Sequence, residues 1–140
     1  MVDALRRASG WVKPPLGCLI DLRPAELIPD VELGLSSGTI VRVGGLVIDD
    51  ERRARHAAAN ETLRAAVAQG VLVVKDEEAF SFFRYPDSAD ELRDYIATKW
   101  QHTHLDAATH VRAVEMLRAN PGGRLWLREQ VGIRTLQPLR

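Results

Sequence analysis

The stretch WVKPPLGCLIDLRP, Trp11 to Pro24, decides how the rest of the chain is read. It predicts the end of a helix, a Pro/Gly turn and then a buried strand. Pro14 and Pro15 end the helix, because the proline ring removes a backbone donor and crowds the preceding turn. Gly17 opens GCLIDLR, in which Cys18, Leu19 and Ile20 are continuously apolar. An unbroken apolar run suits a strand covered on both faces. Upstream, Asp3 can cap a short helix through about Val12, with Leu5, Ala8, Trp11 and Val12 roughly on one face. In an open α/β sheet a unit of this kind follows several others, yet here it stands almost at the start of the chain.

Working outward, PDVELGLSSGTIVRVGGLVIDD follows. Val31, Leu33 and Leu35 alternate with Glu32 and Gly34, and the pattern resumes after SSG with Ile40, Arg42 and Val43. That predicts a β-hairpin in which Gly38 supplies the positive φ of the turn. Gly44 and Gly45 interrupt the run, and Leu46, Val47 and Ile48 predict a further short strand. Asp49 or Asp50 can cap a helix from about Glu51 to Gln69 with an apolar stripe of Ala59, Leu63, Ala66 and Val67, stopped by Gly70. Val71 to Val74 then reads as a buried strand. Phe80, Phe82 and Phe83 continue it past KDEE, which is either a bulge or a solvent-side edge.

SADE, Ser88 to Glu91, is a capping box: the serine oxygen satisfies a free N–H and the glutamate reaches back. The helix it starts carries Leu92, Tyr95, Ile96 and Trp100 on one side. Asp106 can cap another with Val111, Val114 and Leu117 inward, ended by NPGG. RLWLREQVGIRTL predicts a long antiparallel strand, with Leu125, Leu127, Val131 and Ile133 on one face and Trp126, Arg128, Gln130 and Arg134 on the other.

These elements and their joints resemble the C-terminal half of class I S-adenosylmethionine-dependent methyltransferases. ALRRASGWVKPPLGCLIDLRP is similar to the segment around the fifth strand of that fold. FSFFRYPDSADELRDYIATKW and NPGGRLWLREQVGIRTLQP are similar to the last two antiparallel strands and their helical connection in a bacterial branch of the family. The resemblance runs from about Asp3 to Leu136, with KPPLG standing where the family has a shorter turn. It implies an α/β (α+β-like) fold: a partial Rossmann-type mixed sheet with long antiparallel C-terminal strands, a β-hairpin and about four helices, in a single domain over 1–140.

The same resemblance implies what to look for and not find. The family holds its cofactor on a glycine-rich loop that opens a helix, with an acidic residue on the ribose. No such strand–loop–helix unit occurs here; VGG, Val43 to Gly45, lies between β-like stretches and reads as a strand break. No cofactor is therefore expected in the isolated chain. The strand at Cys18 to Leu22 would lack its parallel neighbour, and a bare apolar edge invites pairing. A homodimer, or a partner chain that covers this edge, is expected unless the hairpin folds over it.

Composition narrows the classes of function. In 140 residues, Lys+Arg and Asp+Glu number 19 each, so the formal charge is zero. A chain built to coat nucleic acid or anionic lipid would need a basic excess, so neither partner is expected. The apolar fraction of 46% and charged fraction of 27% are those of a globular protein, and a domain of this length can bury about 68% of its unfolded surface. There is no run of about 18 apolar residues to span a membrane and no long apolar leader. One cysteine excludes an internal disulfide and points to the cytoplasm; Cys18, within an apolar run, is expected buried and inert.

Three groups of residues could carry chemistry. Asp21 and Arg23 lie near the C-terminal end of the first strand, where open α/β sheets bind ligands; they are candidate substrate-binding residues, or a strand-end ion pair. Arg84 and Tyr85, before Pro86, are a similar candidate pair. HTHLDAATH places His102, His104, Asp106 and His110 close together. Its His-x-His-x-Asp spacing is similar to the metal motif of metallo-β-lactamase-fold hydrolases, and two imidazoles with a carboxylate could hold a divalent ion. It departs from that motif at Ala107, where a further His is usual, and follows a helix rather than a strand. The competing account is a solvated connector with Asp106 as a helix cap. The three Trp and three Phe fall at core spacing and read as packing. Two functions follow: a methyltransferase-like domain, non-catalytic alone, that acts as a dimerising or binding module or as a subunit completing a partner, or a small enzyme that is either a split methyltransferase or a metal-dependent hydrolase.

Overall fold

A computed structural model of the chain describes residues 2–13 and 17–139. Pro14 and Pro15, the expected helix stop, lie outside the described residues. In chain order the elements are α1 (Val2–Trp11), β1 (Leu19–Pro24), β2 (Asp30–Gly34), β3 (Ile40–Gly45), β4 (Val47–Ile48), α2 (Asp50–Ala68), β5 (Leu72–Arg84), α3 (Ala89–Lys99), β6 (Thr103–His104), α4 (Ala107–Ala119) and β7 (Arg124–Pro138). The fold is mixed α+β. Strands β1, β7, β2 and β3 neighbour one another in that order, β5 also pairs with β7, and β4 pairs with β6.

Where a mixed sheet is expected, the pairings of β1 with β7, of β2 with β3 and β7, and of β4 with β6 are all antiparallel. A parallel pair needs a crossover of about a dozen residues or more. The link from Pro24 to Asp30 is too short for one, and β2 returns directly as β3. Helix α2, the strand β5 and β7 each divide between two compact units: one made of Met1–Ala25, Ala54–Phe80 and Val131–Arg140, the other of Glu26–Arg53 and Ser81–Gln130.

The second unit holds the larger core. Val31, Leu33 and Val43 of the hairpin, Leu125 and Leu127 of β7, and Leu92 and Ile96 of α3 are all buried, with Tyr95, Trp100, Val114 and Leu117 packed around them. The hairpin turns as its sequence predicts: Gly38 takes φ +87°, a conformation that costs any residue with a Cβ. The expected strand break stands at the end of Gly44–Gly45: β3 runs through Gly45, with a register shift opposite Val31 and Glu32, and Leu46 separates it from β4. The missing side chain of Gly44 admits helix α4, since a Cβ there would stand 2.6 Å from Thr109 Oγ1. The caps predicted at Ser88 and Asp106 both form. Ser88 Oγ accepts from the Glu91 N–H at 3.0 Å, although Glu91 reaches back to the N–H of Asp87 rather than to that of Ser88. Asp106 accepts from the Thr109 N–H at 2.7 Å and from its hydroxyl at 3.0 Å. That cap starts α4 at Ala107 and turns Thr109 and Ala113 inward. Val111 lies about 200° around from Thr109 and is 51% exposed, not inward as expected.

In the first unit β1 pairs with β7 in the register Leu19↔Leu136, Asp21↔Arg134, Leu22↔Ile133. Its core is Leu63 and Ala66 of α2, Leu72 of β5 and Leu136, with Val2, Leu5, Leu19 and Val74 against them. Only one face of β1 is covered. Leu19, Asp21 and Arg23 are half-buried, whereas Ile20 and Leu22 are 57% and 60% exposed. Cys18 shares their parity and is exposed too, contrary to expectation. A continuous apolar run does not by itself secure cover on both sides. Along β7 the buried residues are odd-numbered in the second unit, Leu125 and Leu127, and even-numbered in the first, Gly132 and Leu136. Strand β5 runs through KDEE without interruption. Successive residues from Lys75 to Phe83 are exposed, so Phe80, Phe82 and Phe83 do not pack in a core.

Candidate ligand-binding site

The first unit contains a cavity of about 420 Å³ between α2, β5 and β7. Leu63, Val67 and Ala68 on α2 and Val74 on β5 give it an apolar wall; Asn60, Arg64 and Arg134 give it a polar one. Helical spacing brings Asn60, Leu63, Arg64 and Val67 onto one side of α2. Strand alternation does the same for Leu136 and Arg134, and the β1–β7 register sets Arg134 directly opposite Asp21.

Arg134 is held on two sides. Its Nε donates to Glu77 Oε1 at 2.7 Å and its Nη1 to Asp21 Oδ2 at 3.2 Å. The Glu77 carboxylate first, and Asp21 with it, hold the guanidinium proton more firmly than usual against the opposing effect of burial. Asp21 Oδ1 also accepts from Arg23 Nε at 2.8 Å, and Arg23 Nη1 donates to Asn60 Oδ1 at 3.0 Å. The Asn60 amide lies 3.3 Å from His56 Nδ1, one helical turn back, and His56 Nε2 lies 3.2 Å from the Pro24 carbonyl. A carbonyl can only accept, so the chain of bonds is satisfied with the proton on Nε2 and Nδ1 accepting from Asn60. Two of the cavity's polar lining residues, Arg134 and Asn60, thus belong to one network, Glu77–Arg134–Asp21–Arg23–Asn60–His56.

Of the residues singled out from sequence, Asp21 and Arg23 enter this network. Arg84 and Tyr85 lie in the second unit and part company. The Arg84 guanidinium sits 3.9 Å over the Tyr95 ring. Tyr85 stacks on Phe83 with centroids 6.2 Å apart, meets the edge of Trp126 at 6.0 Å and lies beneath Arg124 at 4.5 Å. Those rings form a half-exposed aromatic group rather than core packing.

The histidine cluster, also in the second unit, is spread over separate partners. His102, at φ +61°, places Nδ1 2.7 Å from Asp49 Oδ2. His104 belongs to β6 and pairs with Val47. Asp106 is the cap of α4, and the backbone N–H of Thr109 holds its carboxyl below the usual range. His110 Nε2 meets Asp90 Oδ1 at 2.9 Å. Among the described residues no group of three His, Cys, Asp or Glu side chains is placed to hold a metal ion.

Sequence reasoning missed His56, Asn60, Glu77 and Arg134. The i,i+4 spacing of His56 and Asn60 on a helix was available as a signal; the meeting of Arg134 with Asp21 was not, because it depends on register. Comparison with protein families, curated proteins and solved structures found no match to the chain. No helix among the described residues is long and apolar enough to cross a membrane.

Proposed function

We propose that the chain is a methyltransferase-like binding module, a partial Rossmann-type sheet that is non-catalytic on its own and self-associates through β1. The observation that carries this is the state of that strand. It ends the strand order, and its outward residues Ile20 and Leu22 are more than half exposed. Such an edge is a template for another strand. The occupant that fits it is a second copy. In an antiparallel pairing centred on Leu22, Asp21 of one copy stands opposite Arg23 of the other, twice. Ile20 stands opposite Pro24, and the two leucines meet on the apolar face. The methyltransferase resemblance is supported by the pairing of β7 both with β5 and, antiparallel, with β1: these are the three strands matched to the end of that fold. A free, exposed thiol at Cys18 suits the reducing cytoplasm.

Light scattering at micromolar concentration tests the self-association. A dimer is expected, and Leu22→Lys, a change at an exposed site, should give a folded monomer. A wild-type monomer would overturn it, and a dimer indifferent to Leu22→Lys would place the interface elsewhere. Calorimetry with S-adenosylmethionine tests the rest: binding by this chain alone would end the non-catalytic reading.

A further inference from the structure

We infer that the cavity of the first unit binds a small monocarboxylate with an apolar tail, such as a medium-chain fatty acid. This goes beyond self-association: the cavity is lined by α2, β5 and β7, and β1 reaches it only through the bonds of Asp21 to Arg134 and of Arg23 to Asn60. At about 420 Å³ the cavity falls within the range of small-ligand pockets. Its lining separates into a tail end and a head end. Leu63, Val67, Ala68 and Val74 offer only carbon to a ligand, while Arg64 and Arg134 offer only donors.

Charge decides the headgroup. Within the network Arg134 and Arg23 are balanced by Asp21 and Glu77, so the network contributes no net charge to the cavity. Arg134 is nevertheless not saturated: its bonds to Glu77 and Asp21 engage three of a guanidinium's five donors. Arg64 adds a positive charge that is only loosely met. Among the described residues it pairs with Glu61 at 3.8 Å, with both side chains at least 75% exposed, a separation and exposure at which an ion pair holds weakly. One surplus positive charge beside spare N–H donors suits one negative charge. A phosphate monoester, carrying nearly two, would crowd Glu77 and Asp21, which already face Arg134. A planar carboxylate matches the guanidinium fork, and the apolar wall accepts the tail.

Calorimetry and amide-shift mapping on the full chain with octanoate, butyrate and 1-octanol test this. Octanoate should bind at least about tenfold more tightly than octanol, which matches its tail but lacks the charge. It should bind on the order of a hundredfold more tightly than butyrate, which keeps the charge but loses four methylenes. Shifts should centre on Leu63, Val67 and Val74. Arg64→Gln, at an exposed helix position, should weaken octanoate about tenfold and leave octanol unchanged. Ala68→Phe, also at an exposed position, should fill the cavity and abolish both. Equal binding of octanol and octanoate, shifts confined to other residues, indifference to Arg64→Gln, or no octanoate binding at millimolar concentration would each overturn the inference.

Discussion

The two compact units spend their apolar residues differently. Among the described residues the second buries eleven in one cluster and the first only four. The second unit's polar residues close on one another around that core. Arg128 donates to Glu32 at 2.9 Å and to Asp30 at 2.8 Å, Trp126 donates to Glu32 at 2.8 Å, and Arg42 donates to Asp30 at 2.7 Å. The first unit has a comparable network but sets it beside empty volume. A filled core stabilises. A thin core with an open polar wall gives up stability for room, which is what a ligand site requires.

Core truncation should separate the units most widely. Leu127→Ala removes a side chain that is 1% exposed and surrounded by other buried residues, and should cost about 3–4 kcal/mol of unfolding free energy in urea. Leu63→Ala removes a wall of the existing cavity, where less packing is lost, and should cost about 2 kcal/mol. Equal losses would mean that the first unit packs as tightly as the second.

The two arginines at the centres of the networks sharpen the comparison at a smaller scale. Arg128→Met leaves Asp30, at 17% exposed, with Arg42, but leaves Glu32, at 12%, with the neutral Trp126 N–H in place of a cation; a buried carboxylate left without its cation costs about 3 kcal/mol. Arg134→Met strands Asp21 at 14%, but Asp21 keeps Arg23, and Glu77 at 54% turns to water. About 1 kcal/mol is expected there. Guanidinium-free denaturation at fixed ionic strength measures both. A larger loss at Arg134 would show its network to be the structural one.

What the sequence disclosed follows the range of the interactions. The turn at Gly38, the caps at Ser88 and Asp106 and the extent of α2 depend on neighbours within a few residues, and they stand where the sequence places them. Alternation showed which residues share a face of β1 and β7, but not which face is covered. Hence Cys18, Ile20 and Phe80 were expected inside and lie outside, and the buried parity of β7 differs between its halves. Of the site, Asp21 and Arg23 were legible from their place at a strand end. Arg134 was not, because it meets Asp21 across 113 positions of sequence through a register that no local pattern encodes.

The smallest effect probes how far the second unit's dry interior extends. Glu129 follows Leu125 and Leu127 on the buried parity of β7, and burial pushes its carboxyl above the ordinary value of 4.5 despite the attraction of Arg52 and Arg84. The folded state therefore holds this proton more tightly than the unfolded chain. It binds more protons over the pH range just above 4.5, and stability falls as pH rises through that range. Glutamine cannot ionise, so Glu129→Gln should remove this fall. The variant should be more stable at pH 7 by less than about 1 kcal/mol, a small gain because the residue is only half-buried and solvent screens it. The two melting curves should converge as pH approaches 4. A variant less stable than wild type at pH 7 would mean that pairing with Arg52 and Arg84 outweighs burial, and that the interior of the second unit ends at Leu127.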